Sequence, residues 1–148
     1  MVIEVAASVI VAGADIIVTM TTAPAPVLFG KWLEAGMHIN ACGANAWTRR
    51  EIDDEVIKRS GTVVVDSIEE AKRYSGDLLF PIESGAVRWE EVNELWEVTS
   101  GRVSGRNNNE EITLFSAHGI GISDVAAAAY VYKQALEKGL GAELPLSA

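Results

Sequence analysis

Two short apolar runs, each followed by small polar residues, hold the side chains of this sequence that could do chemistry. The first covers residues 14–22 and ends in Thr-Met-Thr-Thr, and the second covers residues 38–45 and reads His-Ile-Asn-Ala-Cys-Gly-Ala-Asn. Continuous β-rich runs predict strands of a parallel sheet, and open parallel sheets bind ligands beyond the carboxyl ends of their strands. The polar residues after both runs are therefore predicted to face a cofactor.

The phosphate-binding motif of dinucleotide enzymes is not found after any of these runs. Gly119-Ile120-Gly121 does not count as one, because it does not open a βαβ unit with an acidic residue about 20 residues further on. The sequence reads as the second half of a dinucleotide-binding fold without the first.

Composition narrows the class of protein. A chain of 148 residues, 49% of them apolar, can form one globular core, and a net charge of −9 disfavours nucleic acid as a partner. The single cysteine, Cys42, excludes an internal disulfide and a multi-cysteine metal site and fits a cytoplasmic location. Glu4 and Asp15 interrupt the apolar start, which has no basic segment before it, so neither export nor a membrane anchor is expected.

The predicted elements alternate along the chain. Strands are expected over residues 2–5, 16–20, 37–42, 62–65 and 111–116, and helical segments over 6–12, 31–35, 54–59, 68–74, 90–99 and 123–138. Asp53 and Ser67 are predicted N-caps, and Ser123 with Asp124 is predicted to cap the longest helix. This alternation predicts an α/β fold with a parallel sheet and flanking helices.

Taken together, these segments resemble the ornithine cyclodeaminase/mu-crystallin family. The resemblance runs in order from about residue 12 to residue 139. Its matching pieces are residues 14–22, Pro26-Val27-Leu28, Gly36-Met37-His38-Ile39-Asn40-Ala41-Cys42-Gly43, Arg50-Glu51-Ile52-Asp53, Val64-Val65-Asp66-Ser67, Glu97-Val98 with Gly101, Glu111-Ile112-Thr113-Leu114-Phe115, Gly119-Ile120-Gly121, and Asp124 with residues 126–130.

The resemblance implies a fold and an activity. Family members are homodimeric and NAD(P)-dependent; they convert ornithine to proline with loss of ammonia, act as alanine dehydrogenases, or reduce cyclic imines. The chain would then be the C-terminal portion of a Rossmann-type, doubly wound domain, lacking the first βαβ unit. Residues from about 110 to 140 would return to a substrate and dimerisation domain that the chain does not contain.

The same resemblance implies cofactor-binding residues for NAD or NADP at the ends of the first two long strands, with Arg49 nearby. They are Thr19, Thr21, Asn40, Ala41, Cys42, Gly43 and Arg49. Gly43 would let the backbone approach the ligand closely. The alternatives are local hydrogen bonds for the threonines and Asn40, a small buried side chain for Cys42, and a solvated Arg49–Arg50 pair.

Two residues are candidates for the chemistry itself. Asn45 takes the place of the aspartate that cyclodeaminases use as an acid/base group, and asparagine cannot exchange a proton in that way. His118, beside the predicted substrate, is a tentative proton donor, and its alternative is a histidine bonded to a nearby carbonyl. Trp47 is a candidate to pack over the site.

Other reactive side chains have simpler interpretations. His38 lies at the beginning of a strand, away from its carboxyl end, and is expected to be structural. The acidic residues Glu90, Glu91, Glu94 and Glu97 are expected on a solvated helix face, and no metal site is predicted.

Three functions follow as hypotheses. The first is the cofactor-side part of a reductase or dehydrogenase acting on an amino acid or cyclic imine, inactive or nearly so by itself. The others are a true ornithine cyclodeaminase and a non-catalytic binding protein of the crystallin type. In the strand order 3-2-1-4-5-6, the strand at 16–20 would be the fourth, with a bare apolar edge. The full-length form is expected to be a homodimer, and this chain to self-associate or bind a complementary half.

Overall fold

The computed structural model describes residues 2–142 and residue 144, with the side chains from residue 7 onwards, and divides the chain into two units, 1–118 and 119–148. The first unit contains α1 (Val2–Val11), β1 (Ile16–Thr19), β2 (His38–Ala41), α2 (Asp54–Arg59), β3 (Ser60–Val65), α3 (Ile68–Tyr74), α4 (Gly76–Glu83), β4 (Val92–Glu94), α5 (Leu95–Thr99) and β5 (Ile112–Ser116). The second contains α6 (Gly121–Glu137). Across the described part of the chain, no helix has the length and apolar character to cross a membrane.

One parallel sheet organises the first unit. Its strand order is β1-β2-β5-β3-β4, and all four neighbouring pairs run parallel. This confirms the predicted α/β class with a parallel sheet. Because every strand points the same way, all carboxyl ends lie at one edge of the sheet, here called the carboxyl edge. Their amino ends lie at the opposite edge, here called the amino edge.

The core forms where alternate residues of the central strands meet the helices and the connecting segments. Ile39 of β2, Val65 of β3 and Leu114 of β5 are all at most 1% exposed, as are Leu78 of α4 and Ile52 before α2. Burial of these aliphatic side chains is the main force that fixes the strands in register. The carboxyl edge is therefore built on a close-packed base.

Local capping is where the sequence predicted structure best. The Asp53 carboxylate accepts the amide N–H of Val56 at 3.0 Å and begins α2, and the Ser67 hydroxyl accepts that of Glu70 and begins α3. Both caps were expected, and so were the ends of these helices. The cap expected at Ser123 is wrong, because α6 begins at Gly121 without a side-chain cap.

Two expectations about the first twenty residues are wrong. Residues 2–11 form one helix rather than a strand and a short helix, because no residue before Gly13 (φ +72°) interrupts helical backbone geometry. The continuous apolar run at 16–20 was expected to be covered on both faces, but the Ile16 and Val18 side chains of β1 are 64% and 60% exposed. The bare apolar edge expected of this strand is found, because β1 is the last strand of the sheet.

The segment 90–99 also differs from the single helix that we expected. It contains a 3₁₀ turn (Trp89–Glu91), then β4 and then α5. Val92 pairs with Val63 of β3 and is buried there. The stabilisation from this burial in the sheet outweighs the helical preference indicated by the spacing of the apolar residues. We also missed α4; Ser75 caps it by accepting the amide N–H of Leu78.

The strand at 112–116 was expected to leave the sheet together with the following helix. It lies instead in the middle of the sheet, between β2 and β3, so this part of the expectation is wrong. Leu114 and Ile112 are buried there, which explains why the strand stays in this domain. The helix α6 forms the second unit, and its apolar side chains Ile122, Val125 and Tyr132 are exposed.

The free edge of β1 gives a prediction about association. Val18→Lys should reduce self-association of the chain, because a lysine on an exposed edge strand opposes pairing with another strand. Sedimentation over a range of concentrations measures the effect, and Tyr74→Lys, on an exposed helix end, is the control. A wild-type chain that stays monomeric at every concentration contradicts the prediction.

Candidate functional site

The ends of β1 and β2 lie side by side at the carboxyl edge. Thr19 is in register with Ala41, and the amide N–H of Cys42 donates to the Thr19 carbonyl at 2.9 Å. On the other side of β2, the amide N–H of Ala117 donates to the Ala41 carbonyl at 2.9 Å, which places His118 along the same edge. The predicted meeting of the two polar strand ends is thus confirmed in geometry.

A buried carboxylate, that of Glu51, holds these ends together, although the sequence indicated this residue only as part of the family resemblance. Glu51 is 0% exposed. Its Oε1 accepts the amide N–H of Thr21 at 2.5 Å, and its Oε2 accepts the amide N–H of Gly43 at 2.6 Å and the Thr19 hydroxyl at 2.9 Å. We missed this role because Arg-Arg-Glu-Ile-Asp has the composition of a solvated turn.

Gly43 lies where no side chain fits. A Cβ atom there would lie 2.3 Å from the Thr21 carbonyl oxygen and 2.5 Å from Glu51 Oε1. We expected a ligand to require glycine at this position. The structure shows that the protein's own backbone and the Glu51 carboxylate already require it.

The remaining predicted cofactor residues divide into exposed residues and residues already used inside the protein. Thr21 is exposed, and its hydroxyl accepts the Ala23 amide N–H at 3.2 Å. The Thr19 hydroxyl donates to Glu51, and Ala41 is buried in the core. Asn40 lies before the strand end and lines a cavity of about 220 Å³ on one sheet face. The Thr19 geometry matches the local alternative.

His38 lies on the same sheet face as Asn40, because the two are separated by one residue in β2. Its Nδ1 atom is 2.8 Å from the Thr113 hydroxyl of β5. This contact ties β2 to β5 near their amino ends, as expected of a structural histidine.

The segment after β2 carries Asn45, Trp47, Arg49 and Arg50. Asn45 is exposed, Arg49 is half-buried, and Trp47 is 64% exposed at an apolar cleft of about 450 Å³ with Leu79, Phe80 and Ile82. Arg50 forms an ion pair with Asp54 at 2.6 Å and lies over the Phe80 ring at 5.2 Å. Arg50 therefore has a structural role, which leaves Arg49 as the candidate cation.

His118 and Asp66 form a buried pair at the ends of β5 and β3. The Asp66 carboxylate accepts the His118 amide N–H at 2.8 Å, and its other oxygen is 3.2 Å from His118 Nδ1. The imidazole is 2% exposed, and its Nε2 atom has no hydrogen-bond partner among the described residues. A buried polar atom without a partner is costly, so an oriented ring with one unused nitrogen fits a site that a ligand completes.

Cys42 lies between these two clusters and is a poor nucleophile. Burial, and then the charges of Glu51 and Asp66, raise the pKa of its thiol. A thiol is far less nucleophilic than a thiolate, which favours the predicted small apolar side chain over a nucleophile, although Cys42 is half-buried where we expected it to be buried.

Asp77, in α4, supports Glu51 from behind, and no sequence signal indicated it. Its Oδ1 accepts the amide N–H groups of Glu51 at 2.8 Å and Ile52 at 3.1 Å, while Oδ2 has no partner within the described chain. Burial raises the pKa of this carboxyl to about 6, although the two amide hydrogen bonds oppose the shift.

The raised pKa of Asp77 predicts that the free energy of unfolding depends on pH. The folded state holds the Asp77 proton more tightly than the unfolded chain, so this contribution is full below the ordinary pKa of 3.8, is partly present at pH 5, and is lost as the pH rises through about 6. Asp77→Asn should remove about 1 kcal/mol of pH dependence between pH 5 and 7.5. Denaturant unfolding of wild type and variant at both pH values measures this, and equal pH dependence in the two proteins contradicts it.

The five-stranded parallel sheet with flanking helices, whose strands end together at one polar edge, defines an α/β domain. A sequence profile of the ornithine cyclodeaminase/mu-crystallin family matches residues 2–139. The chain belongs to this family, as the resemblance implied, and spans about 40% of the length of the curated relatives that it matches.

Three relatives illustrate the similarity. The chain is 43% identical to ketimine reductase mu-crystallin of Mus musculus over 122 residues, which are 82% of this chain and 36% of the relative. The Thermococcus litoralis Δ1-pyrroline-2-carboxylate reductase, solved with NADH and L-proline, superposes with TM-score 0.85 at 38% identity, covering 93% of this chain and 42% of the relative. An archaeal alanine dehydrogenase dimer with bound NAD superposes with TM-score 0.78 at 37% identity, covering 90% and 42%.

Proposed function

We propose that this chain forms the cofactor-side part of an NADH- or NADPH-dependent reductase that acts on a cyclic imine or a related amino acid. The family contains NAD(P)-dependent reductases of imines and amino acids together with ornithine cyclodeaminases. The observation that carries the choice of a reductase is the imidazole of His118, oriented by Asp66, together with an Asn45 that cannot exchange a proton.

The carboxyl edge has groups that suit a nicotinamide coenzyme. Thr21 and Asn45 are exposed and can donate and accept hydrogen bonds, and Arg49 supplies a cation for a phosphate. The residues Asn40, Ala41, Cys42 and Gly43 would supply the backbone surface beside it. The coenzyme, when bound, supplies a hydride to the imine carbon.

Residues of this chain would donate the proton that the reaction requires and would position its donor. His118 would give a proton from Nε2 to the imine nitrogen, so that the C=N double bond becomes a C–N single bond as the carbon accepts the hydride. Asp66 would hold the imidazole in position through Nδ1. Asn45 would orient the substrate amine or imine by hydrogen bonding, and it could not take over the proton transfer.

The proposal extends to how the chain works. The 148-residue chain by itself is proposed to be inactive or nearly so, because its sequence contains no G-x-G-x-x-G loop for the coenzyme pyrophosphate. The full-length protein is proposed to be a homodimer, as the archaeal relative is. A cytoplasmic location is included, since a single cysteine fits a reducing compartment.

One set of assays separates the proposed function from its alternatives. The protein that carries this chain should oxidise NADH or NADPH with Δ1-pyrroline-2-carboxylate as substrate and should release little ammonia from L-ornithine. Ammonia release without net coenzyme oxidation would establish the cyclodeaminase alternative. Coenzyme binding with neither reaction would establish the binding-protein alternative, and no binding at all rejects both enzyme readings.

A further inference from the structure

We propose that Glu51 is a positioning residue that separates the ends of β1 and β2 and fixes the backbone on which the coenzyme binds. This inference rests on the proposed function, since it concerns the same edge. It assigns to Glu51 a role in ligand binding in addition to its role in holding the fold together.

The hydrogen bonds show where ordinary strand pairing stops. The last bond between the two strands runs from the Cys42 amide to the Thr19 carbonyl. Beyond it, the amide N–H groups of Thr21 and Gly43 both donate to Glu51, each to a different carboxylate oxygen. The carboxylate thus takes the place that further strand pairing would occupy, and the two strand ends are held by a side chain between them.

Only a carboxylate can satisfy this arrangement. It offers an acceptor oxygen to each strand end, and the Thr19 hydroxyl completes the second oxygen's contacts at 2.9 Å. A glutamine has the same size but only one oxygen, so its NH₂ group would face either the Thr21 or the Gly43 N–H. One of the two strand ends would therefore lose its acceptor.

The contacts around Glu51 fix the position of its backbone and its side chain. Asp77 fixes the Glu51 backbone amide, and the Glu51 side chain is fully buried. The space at Gly43 is filled by the Thr21 backbone and the Glu51 carboxylate. The exposed Thr21 side chain therefore has its backbone position set from inside the protein, where the solvent cannot compete for the hydrogen bonds.

Glu111 provides a matched control at the amino edge. Its carboxylate likewise accepts a threonine hydroxyl, that of Thr62 at 2.7 Å, and a backbone amide, that of Asn107. Glu51→Gln and Glu111→Gln therefore make the same chemical change in the same kind of hydrogen-bonded site. They differ in which edge of the sheet they disturb, and in burial, since Glu51 is fully buried and Glu111 is half-buried.

The experiment measures NADH affinity by fluorescence titration and amide hydrogen exchange at Thr21 and Gly43 in the protein that carries this chain. We expect Glu51→Gln to weaken NADH binding about tenfold and to accelerate exchange at Thr21 or Gly43. Glu111→Gln should leave both readouts unchanged. Should Glu51→Gln prevent folding, Thr19→Val, which removes only the hydroxyl donor, should weaken binding about threefold.

Each outcome decides the matter. Faster exchange with unchanged NADH affinity in Glu51→Gln shows a purely structural residue and overturns the proposal. Equal loss of affinity in both glutamine variants overturns it as well, because the effect would then be general destabilisation. If the wild-type protein that carries this chain binds no NADH, the proposed function fails separately. Unchanged exchange in Glu51→Gln rejects the positioning of the strand ends, whether or not NADH binds.

Discussion

Replacing His118 by asparagine is expected to lower kcat for imine reduction at least about 100-fold, the range typical of losing a general acid. Asparagine can still donate to Asp66 from the position of Nδ1, but it has no group at the position of Nε2, which is the unused nitrogen. The affinity for NADH should stay within about twofold, because the Thr21 and Gly43 backbone is untouched. Steady-state kinetics of the protein that carries this chain measures both values.

The other histidine serves as the control. His38→Asn makes the same substitution at a residue that contacts Thr113 near the strand amino ends, so kcat should not change. Equal kcat for His118→Asn and wild type would reject His118 as the proton donor. It would leave the Asp66–His118 pair as a structural contact between β3 and β5.

The second large effect is expected at Gly43. Gly43→Ala should lower the free energy of unfolding by about 2 kcal/mol or more, because its Cβ must displace the Thr21 carbonyl or the Glu51 carboxylate. Coenzyme affinity should fall with it, since the same atoms fix the carboxyl edge. Denaturant unfolding and NADH titration measure the two effects.

Gly121→Ala is the matched control for this substitution. A Cβ atom at Gly121 meets no atom within 4 Å, and Gly121 does not have a positive φ angle, so the variant should be as stable as wild type. If Gly43→Ala also unfolds like wild type but loses NADH, then the glycine is needed for the ligand, as the sequence first indicated. The close contact of residue 43 with Thr21 and Glu51 would then contribute little to the free energy of unfolding.

Features that depend on interactions between residues close in sequence were predicted correctly, and features that depend on contacts between distant residues were not. The caps at Asp53 and Ser67 and the strands at 16–19 and 38–41 depend on local backbone preferences, and the structure confirms them. The segment 90–99 failed because Val92 is placed by its pairing with Val63, nearly thirty residues away. The position of β5 between β2 and β3 also depends on contacts distant in sequence.

The site was predictable to a similar extent. The polar residues after β1 and β2 were expected at one edge because parallel strands must end together. The roles of Glu51 and Asp77 were not, since a charged side chain in a turn is normally solvated and only the tertiary structure buries these two. Gly43 was singled out for close approach of a ligand, but the atoms that crowd it come from Thr21 and Glu51.

The central claim is that the ends of β1 and β2 form a nicotinamide coenzyme site, and amide NMR of the protein that carries this chain during an NADH titration tests it most directly. We predict saturable shifts at Thr21, Gly43, Asn45 and His118, with Gly61 and Glu111 at the amino edge unaffected. Shifts confined to the amino edge, or none at millimolar NADH, would contradict the claim.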